Sequence, residues 1–264
     1  MQLSEPTSEL VRYGVSAGLA TITLDFPAKR NALSQALMRQ LAARLSQALD
    51  DSAVRVLVLT HTGPVFCSGM DLSEARGASA SEMGVNAFPN LLQSLWDSPK
   101  PVVARVAGPA RAGGLGVIAA CDLSVCTRSA SFAFSEVRLG VVPAVISVTV
   151  LPRLNPRAAH ELFLTGSVFD GVRAAEIGLV NAAVEPDQLD ATTASYVADL
   201  MKGGPIALAA SKALLRRPPA ATMAEDLAEL LELSAQFFAS DEGQEGIRAF
   251  GEKRPPSWIP ADPV

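Results

Sequence analysis

The chain has 264 residues, enough to bury a full core in one large domain or in one domain with an appended subdomain. Hydrophobic residues make up 49%, charged residues 19% and aromatic residues 5%, a composition that excludes a disordered chain and a coiled coil. A net charge of −5 with Lys and Arg unclustered argues against a nucleic-acid surface, because neutralising a phosphate backbone takes grouped cations.

The opening MQLSEPTSEL lacks a basic segment followed by an apolar run, so no secretory signal is expected and a cytoplasmic location is. LVRYGVSAGLATITLDFP alternates apolar and polar residues on both sides of SAG, which predicts a hairpin. Ser34 caps a predicted helix with Leu37, Leu41, Leu45 and Leu49 on one face, ending at Asp50 and Asp51. VRVLVLT (Val54 to Thr60) and PVVARVAG are apolar strands of the kind covered on both faces, and HTGPVFCSGMDL between them is a loop. LSVCT and SFAFS follow as strands, an alternation with helices that favours an α/β architecture. The run from Leu139 to Leu151 is too short for a bilayer span, is broken by Pro143 and reads as core. From Pro156 onward the pattern is helical, with Gly178 as a C-terminal cap. Near the end, Leu227, Leu230, Leu231 and Phe238 form an apolar face that a subunit partner or the parent domain must cover. Cys67, Cys121 and Cys126 lack CxxC spacing and have only His61 and His160 beside them, so no disulfide framework or metal site is expected.

In GPARAGGLGVIAACD, Gly114, Gly116 and Ala119 fit the relaxed dinucleotide pattern, with Glu136 twenty residues further on. The match is poor in context, because the first glycine of a true fingerprint closes the turn directly after its strand. A packing role is the bland alternative. A third reading joins this stretch to FCSGMDL: each puts a glycine-flanked segment after a buried strand, and two peptide N–H groups converging on one oxygen make an oxyanion hole.

Seven segments stand in order along the chain: KRNALS (Lys29 to Ser34), FCSGMDL (Phe66 to Leu72), PVVARVAGPARAGGLGVIAACDLSVCT (Pro101 to Thr127), FSEVRLGVVP (Phe134 to Pro143), LTG (Leu164 to Gly166), AAEIGLV (Ala174 to Val180) and DEGQEGIRAFGEKR (Asp241 to Arg254). In that register the sequence resembles the enoyl-CoA hydratase/isomerase (crotonase) superfamily nearly end to end. The resemblance implies an α/β, crotonase-like spiral of ββα units over residues 1–195 and a helical C-terminal trimerisation region over 196–264. It also implies an acyl-CoA substrate, with coenzyme A part of the substrate and no separate cofactor, and a homotrimer or dimer of trimers with no nucleic-acid or membrane partner. Carried over by position, the oxyanion hole is the backbone N–H of Met70 and of Gly113. Ala32, Leu33, Ser68 and Asp71 match the coenzyme A cradle. Lys29 and Arg30 are placed to meet phosphates, and Phe250 and Lys253 match a tail that approaches a neighbouring subunit's ligand. Met83, Val85, Phe88, Arg111, Gly116, Leu139 and Pro143 are assigned to the acyl pocket.

One position departs from the resemblance. Standard hydratases carry two glutamates, and where the first would stand this chain has Gly116; only the second is kept, as Glu136. The pair acts as base and acid on one water, so its loss leaves two readings open. A single buried glutamate is enough for Δ3,Δ2-enoyl-CoA isomerisation. GGLG together with SEVRLGVVPAVIS, however, resembles the methylglutaconyl-CoA-type hydratases, which share this glycine, and the hydratase reading ranks first. A catalytically silent acyl-CoA-binding scaffold is the rival from another class. Ala144 stands where aspartates would mark the dehalogenase and dienoyl-CoA isomerase branches. The bland readings are a salt bridge from Glu136 to Arg138 or Arg111, a loop-holding Arg111, and a turn or capping role for Asp122. His61 and His160 are expected in a loop and on a helix face.

Overall fold

The computed structural model describes residues 9–75 and 87–259. The expected hairpin pairs β1 (Val11–Ser16) antiparallel with β2 (Leu19–Leu24) across a turn in which Ala17 and Gly18 both have positive φ. This is the geometry that suits the twist of a two-residue hairpin. Ser34 caps α1 (Gln35–Asp50) by accepting the Leu37 N–H, and α1 buries Leu37, Met38, Leu41 and Leu45. Next come β3 (Val56–His61), α2 (Leu72–Ala75), α3 (Ala87–Asp97), β4 (Val102–Val106), β5 (Ala110–Arg111), α4 (Gly113–Ala120), β6 (Leu123–Thr127) and β7 (Ser131–Ala133). A 3₁₀ turn over Ser135–Leu139 leads into α5 (Ala144–Val150), α6 (Pro156–Thr165), β8 (Phe169–Asp170), α7 (Gly171–Glu176) and β9 (Ala182–Val184). The chain finishes with α8 (Leu189–Lys202), α9 (Pro205–Leu214), α10 (Met223–Ala239) and α11 (Asp241–Gly251).

The larger sheet has the order β1-β2-β3-β4-β6-β9 and is parallel from β2 onward; a smaller sheet has the order β5-β7-β8. The expected α/β architecture is therefore present. β3 is covered on both faces, as its sequence suggests. Leu57 and Leu59 enter the main core with α1 and α3, while Val56 and Val58 pack with Val103 against Val197 and Met201 of α8. α8 spans residue 195, and its Val197 and Met201 are the residues that pack on the sheet.

Three expectations need correction. The run Leu139 to Leu151 is core only in part: Ile146 and Val150 are buried in it, but Val142 is 78% exposed and Val148 71%, because the 3₁₀ turn and α5 also form a cavity wall and an outer surface. The region after Pro156 is not purely helical, since β9 extends the large sheet beside β6 and β8 pairs with β7. His61 is not in a loop; it ends β3, is buried, and its Nε2 accepts the Ala107 N–H at 3.1 Å. His160 does lie on a helix face, in α6.

Asp122 does more than cap a turn. One carboxylate oxygen accepts the Val102 N–H at 2.8 Å and pairs with Lys212 Nζ at 2.7 Å, and the other pairs with Arg216 at 2.6 Å. Arg216 and Arg153 both lie over the Trp96 ring, 4.6 and 4.8 Å from its centre. This cluster ties α9 to the core, and its members are largely out of water, so removing one partner strands the others. Asp122→Ala is expected to lower the unfolding free energy by about 3–5 kcal/mol. Replacing Asp122 and Lys212 together by apolar residues should cost less than the two single changes summed; chemical denaturation of all three variants measures it.

Candidate active site

Three backbone segments run side by side at the carboxyl ends of the parallel strands. The Leu33 N–H donates to the Gly69 carbonyl at 2.8 Å, and the Ser68 N–H to the Arg30 carbonyl at 3.1 Å. The Phe66 N–H donates to Pro109 O at 2.9 Å, and the Arg111 N–H to Cys67 O at 3.0 Å. Close approach explains the glycines. A Cβ on Gly69, which has φ of +90°, would sit 3.1 Å from the Ala112 Cβ, and one on Gly114 would sit 2.8 Å from the Cys67 Cβ. Ala112 itself has φ of 47°, a conformation costly for a residue with a side chain. Its N–H is held by Ala133 O at 3.1 Å, and the turn it makes begins α4 at Gly113. Among the described residues, neither the Met70 nor the Gly113 N–H donates to a main-chain carbonyl, and both residues line one cavity of about 330 Å³.

Among the described residues three carboxylates touch that cavity, and their surroundings differ. Asp71 accepts Ser73 Oγ at 2.6 Å and the Ser73 N–H at 2.9 Å, with Lys29 Nζ 3.9 Å away, and these partners hold its pKa below the usual range. Glu74 accepts the Gln35 N–H at 3.0 Å at the start of α1. Glu136 is different: its Oε2 is buried without a hydrogen-bond partner, and burial pushes its pKa above that of an ordinary glutamate, against a smaller lowering by its own N–H. Neither ion pair weighed for it forms, since Arg138 donates to Thr165 O and Arg111 to Ser131. Perturbed carboxylates facing a cavity are candidates for proton transfer, and Glu136, with an oxygen no donor claims, is the candidate here.

Gly116 does not line the cavity. It is fully buried in α4, and a Cβ there would lie 2.6 Å from Ile146 Cγ2, so the space a longer side chain would need is occupied by α5. Ile146 lines the cavity in its place, with Val145, Val142 and Phe88. Arg111 is also outside the pocket. Its guanidinium donates to Ala110 O at 2.9 Å, Ser131 O and Ser131 Oγ at 3.0 Å, so it ties β5 to β7.

Of the other assigned residues, Ser68, Leu139 and Pro143 line the cavity. Ala32 and Leu33 are buried beside it, Leu33 within reach of a Cβ on Gly113 at 2.9 Å. Arg30 is exposed with φ of 54°. Phe250, 88% exposed on α11, and Lys253 just beyond it do not line the cavity of this chain. Met83 and Val85 lie outside the described residues. Asn31 was not singled out, although it organises the cradle: fully buried at φ 51°, it accepts the Phe26 N–H at 2.7 Å and donates to Thr62 O and Val65 O. An asparagine between charged and apolar residues is the signal, since Asn tolerates left-handed backbone. The three cysteines are buried, and burial pushes each thiol up to about 12, which rules out a ready thiolate nucleophile. Among the described residues no group of His, Cys, Asp or Glu is placed to hold a metal ion, and no helix is long and apolar enough to cross a membrane.

The family model described as enoyl-CoA hydratase/isomerase matches residues 14–260. Enoyl-CoA hydratase domain-containing protein 2, a mitochondrial protein of Bos taurus, is 34% identical over 256 residues, covering 93% of this chain and 86% of that one. The crystal structure of an enoyl-CoA hydratase from Mycobacterium avium is 44% identical with a TM-score of 0.72, covering 96% of this chain and 100% of the other. That of an enoyl-CoA hydratase from Mycobacterium smegmatis is 32% identical with a TM-score of 0.87, covering 96% and 99%.

Two outcomes follow from these contacts. The native state holds the Glu136 proton to higher pH than the unfolded chain does, so stability is lost as pH rises from the ordinary glutamate range through the raised value. Glu136→Gln is therefore expected to melt at a higher temperature than wild type at neutral pH, with the gain shrinking in acid, as thermal unfolding across pH will show. Gly116→Glu is expected to be destabilising by about 1–3 kcal/mol through overpacking on Ile146. Adding Ile146→Ala to it should recover part of that loss, a non-additivity read from a double-mutant cycle.

Proposed function

The chain belongs to the enoyl-CoA hydratase/isomerase family, and from that premise we propose that it adds water to an α,β-unsaturated acyl-CoA thioester, with Glu136 as its single proton carrier. The observation that carries this reading is the buried, unpartnered Oε2 of Glu136, on a cavity that also presents the Met70 and Gly113 N–H groups. Those two donors would polarise the thioester carbonyl and stabilise the enolate that forms when oxygen adds at the β-carbon. Glu136 accepts the proton from the attacking water and, now a neutral acid, returns it to the α-carbon as the enolate collapses. Water is thereby added with no net gain or loss of protons, and one carboxylate serves as base and then as acid. A raised pKa suits both halves of that cycle near neutrality.

The packing of Ile146 on Gly116 favours a second reading, Δ3,Δ2-enoyl-CoA isomerisation. With an apolar side chain where a second carboxylate would stand, Glu136 could move a proton between the α- and γ-carbons of the enolate with no water involved. The carboxylated acyl group of a methylglutaconyl-type substrate has less support, because Arg111 is turned to Ser131 and no Lys or Arg lines the cavity among the described residues. Leu227, Leu231 and Phe238 of α10 are each more than 60% exposed, a face that copies of the chain in a homotrimer or dimer of trimers would cover.

Crotonyl-CoA is expected to lose its conjugated-thioester absorbance when the enzyme is added, and Glu136→Gln should slow this by at least 10²-fold, the low end of what general acid–base catalysis supplies. A gain of that absorbance from a β,γ-enoyl-CoA, with crotonyl-CoA inert, would install the isomerase instead. Binding of both thioesters with no change in either would leave the silent scaffold.

A further inference from the structure

β3 ends on His61, and the buried ring is tied to all three backbone segments of the site. The Ala107 N–H, just ahead of residues 109–113, donates to Nε2 at 3.1 Å. The ring meets Phe66 edge to face, with centres 5.4 Å apart and planes at 78°. Nδ1 lies 3.4 Å from Thr62 O, the carbonyl that also accepts the Asn31 amide at 3.1 Å. These contacts decide where the ring carries its proton. Nε2 accepts and so needs a free lone pair, which puts the proton of the neutral ring on Nδ1, toward Thr62 O. A second proton would go on Nε2 and set two donors face to face. Burial pushes the pKa of the ring below the ordinary histidine value, against a raising by the Thr62 backbone and with a smaller lowering from Arg105. Arg105 of β4 is itself paired with Asp190 of α8, and Asp25, just past β2, is taken up by Arg12 and the Thr62 hydroxyl.

We propose that His61 is a positioning residue for the reaction, holding the segment that ends at Gly113 through a hydrogen bond that only its uncharged ring can accept. The proposal rests on the reading of the Gly113 N–H as a donor to the thioester and goes beyond it by naming what keeps that donor in line. Ala107 opens a stretch with little room to move alone. Pro109 O accepts the Phe66 N–H at 2.9 Å, Thr127 Oγ1 donates to Ala107 O at 3.3 Å, and a Cβ on Gly108 would lie 2.2 Å from Pro64 O. A shift at Ala107 is therefore passed to Phe66, which leads to Met70, and to Arg111, which leads to Gly113. Donors aimed at a developing oxyanion lose effect when they must be realigned during the reaction, so such a shift slows turnover more than it weakens binding.

Two variants of the full chain test this. His61→Phe keeps a ring against Phe66 but offers no lone pair, and His61→Gln brings an amide oxygen to the reach of Nε2 without titrating. Exchange of the butyryl-CoA α-protons in D₂O is expected to slow about tenfold in His61→Phe, short of the 10²–10³-fold that loss of a whole donor costs. Isothermal titration should find butyryl-CoA bound within twofold of wild type, and His61→Gln should recover most of the lost rate. On acidification, wild type should lose about tenfold more of its neutral-pH rate than His61→Gln does, because protonation of Glu136 is common to both and protonation of His61 is not. Nitrogen NMR of the ring at neutral pH, with the exposed His160 for comparison, should show a proton on Nδ1 of His61 and none on Nε2. Should His61→Phe fail to fold, the acid profile and the ring spectrum decide. Unchanged exchange in His61→Phe, equal losses in the two variants, a loss matched by weaker binding, the same acid profile in wild type and His61→Gln, or a proton on Nε2 would overturn the proposal. Absence of exchange in wild type would instead overturn the thioester reading beneath it.

Discussion

The main-chain hydrogen bonds that join residues 30–33, 66–71 and 109–113 hold the backbone of Met70 and Gly113 in place at the cavity. They fix where Met70 and Gly113 stand, and they require the glycines: Gly69 because Ala112 is too close, Gly114 because Cys67 is. The buried amide of Asn31 serves the same end, tying its loop to Phe26, Thr62 and Val65. A loop held this firmly can keep N–H groups pointed at a ligand instead of at one another, and preorganised donors of that kind do most when no reorganisation is needed at the moment of reaction. Ala112 at φ 47° is a local cost of that arrangement, stabilised by β7 and by the start of α4.

On the proposed reading, the chemistry rests on one carboxylate. One oxygen of Glu136 is buried without a partner and burial disfavours its charged form, while Asp71 and Glu74 are tied to N–H and hydroxyl donors. Functional groups often sit where stability alone would not put them. The apolar surface around Glu136, supplied largely by the 3₁₀ turn and α5, raises its pKa and on the proposed reading would also receive the acyl chain.

Much of this was legible in the sequence, for physical reasons. Hydrophobic alternation gave the hairpin and the covered strand β3, and the spacing of leucines with Ser34 before them gave α1, because these patterns follow from local geometry. The pairing of FCSGMDL with RAGGLG was readable because glycines mark close backbone approach. What the sequence hid depends on distant partners. Gly116 marks a missing carboxylate in the letters, yet only the fold shows Ile146 filling its space, thirty residues later. Arg111 beside the glycines invited an anion-binding role, and Ser131 across the small sheet claims it. Asp122 looked like a turn residue because Lys212 and Arg216, its partners, lie on α9 far along the chain. The run Leu139 to Leu151 mixes buried core residues with others that line the cavity or face outward, and hydropathy alone does not tell such a wall from a core.

The central claim is that Glu136 moves protons at the α-carbon of a thioester whose enolate is stabilised by the Met70 and Gly113 N–H groups. It holds for hydration and isomerisation alike, so it is tested most directly apart from either. Butyryl-CoA incubated with the protein in D₂O can be followed by NMR for exchange of its α-protons. The account predicts exchange of one of the two α-protons by wild type and none above background by Glu136→Gln. Exchange at the wild-type rate in that variant, or none with either protein despite bound thioester, would contradict it.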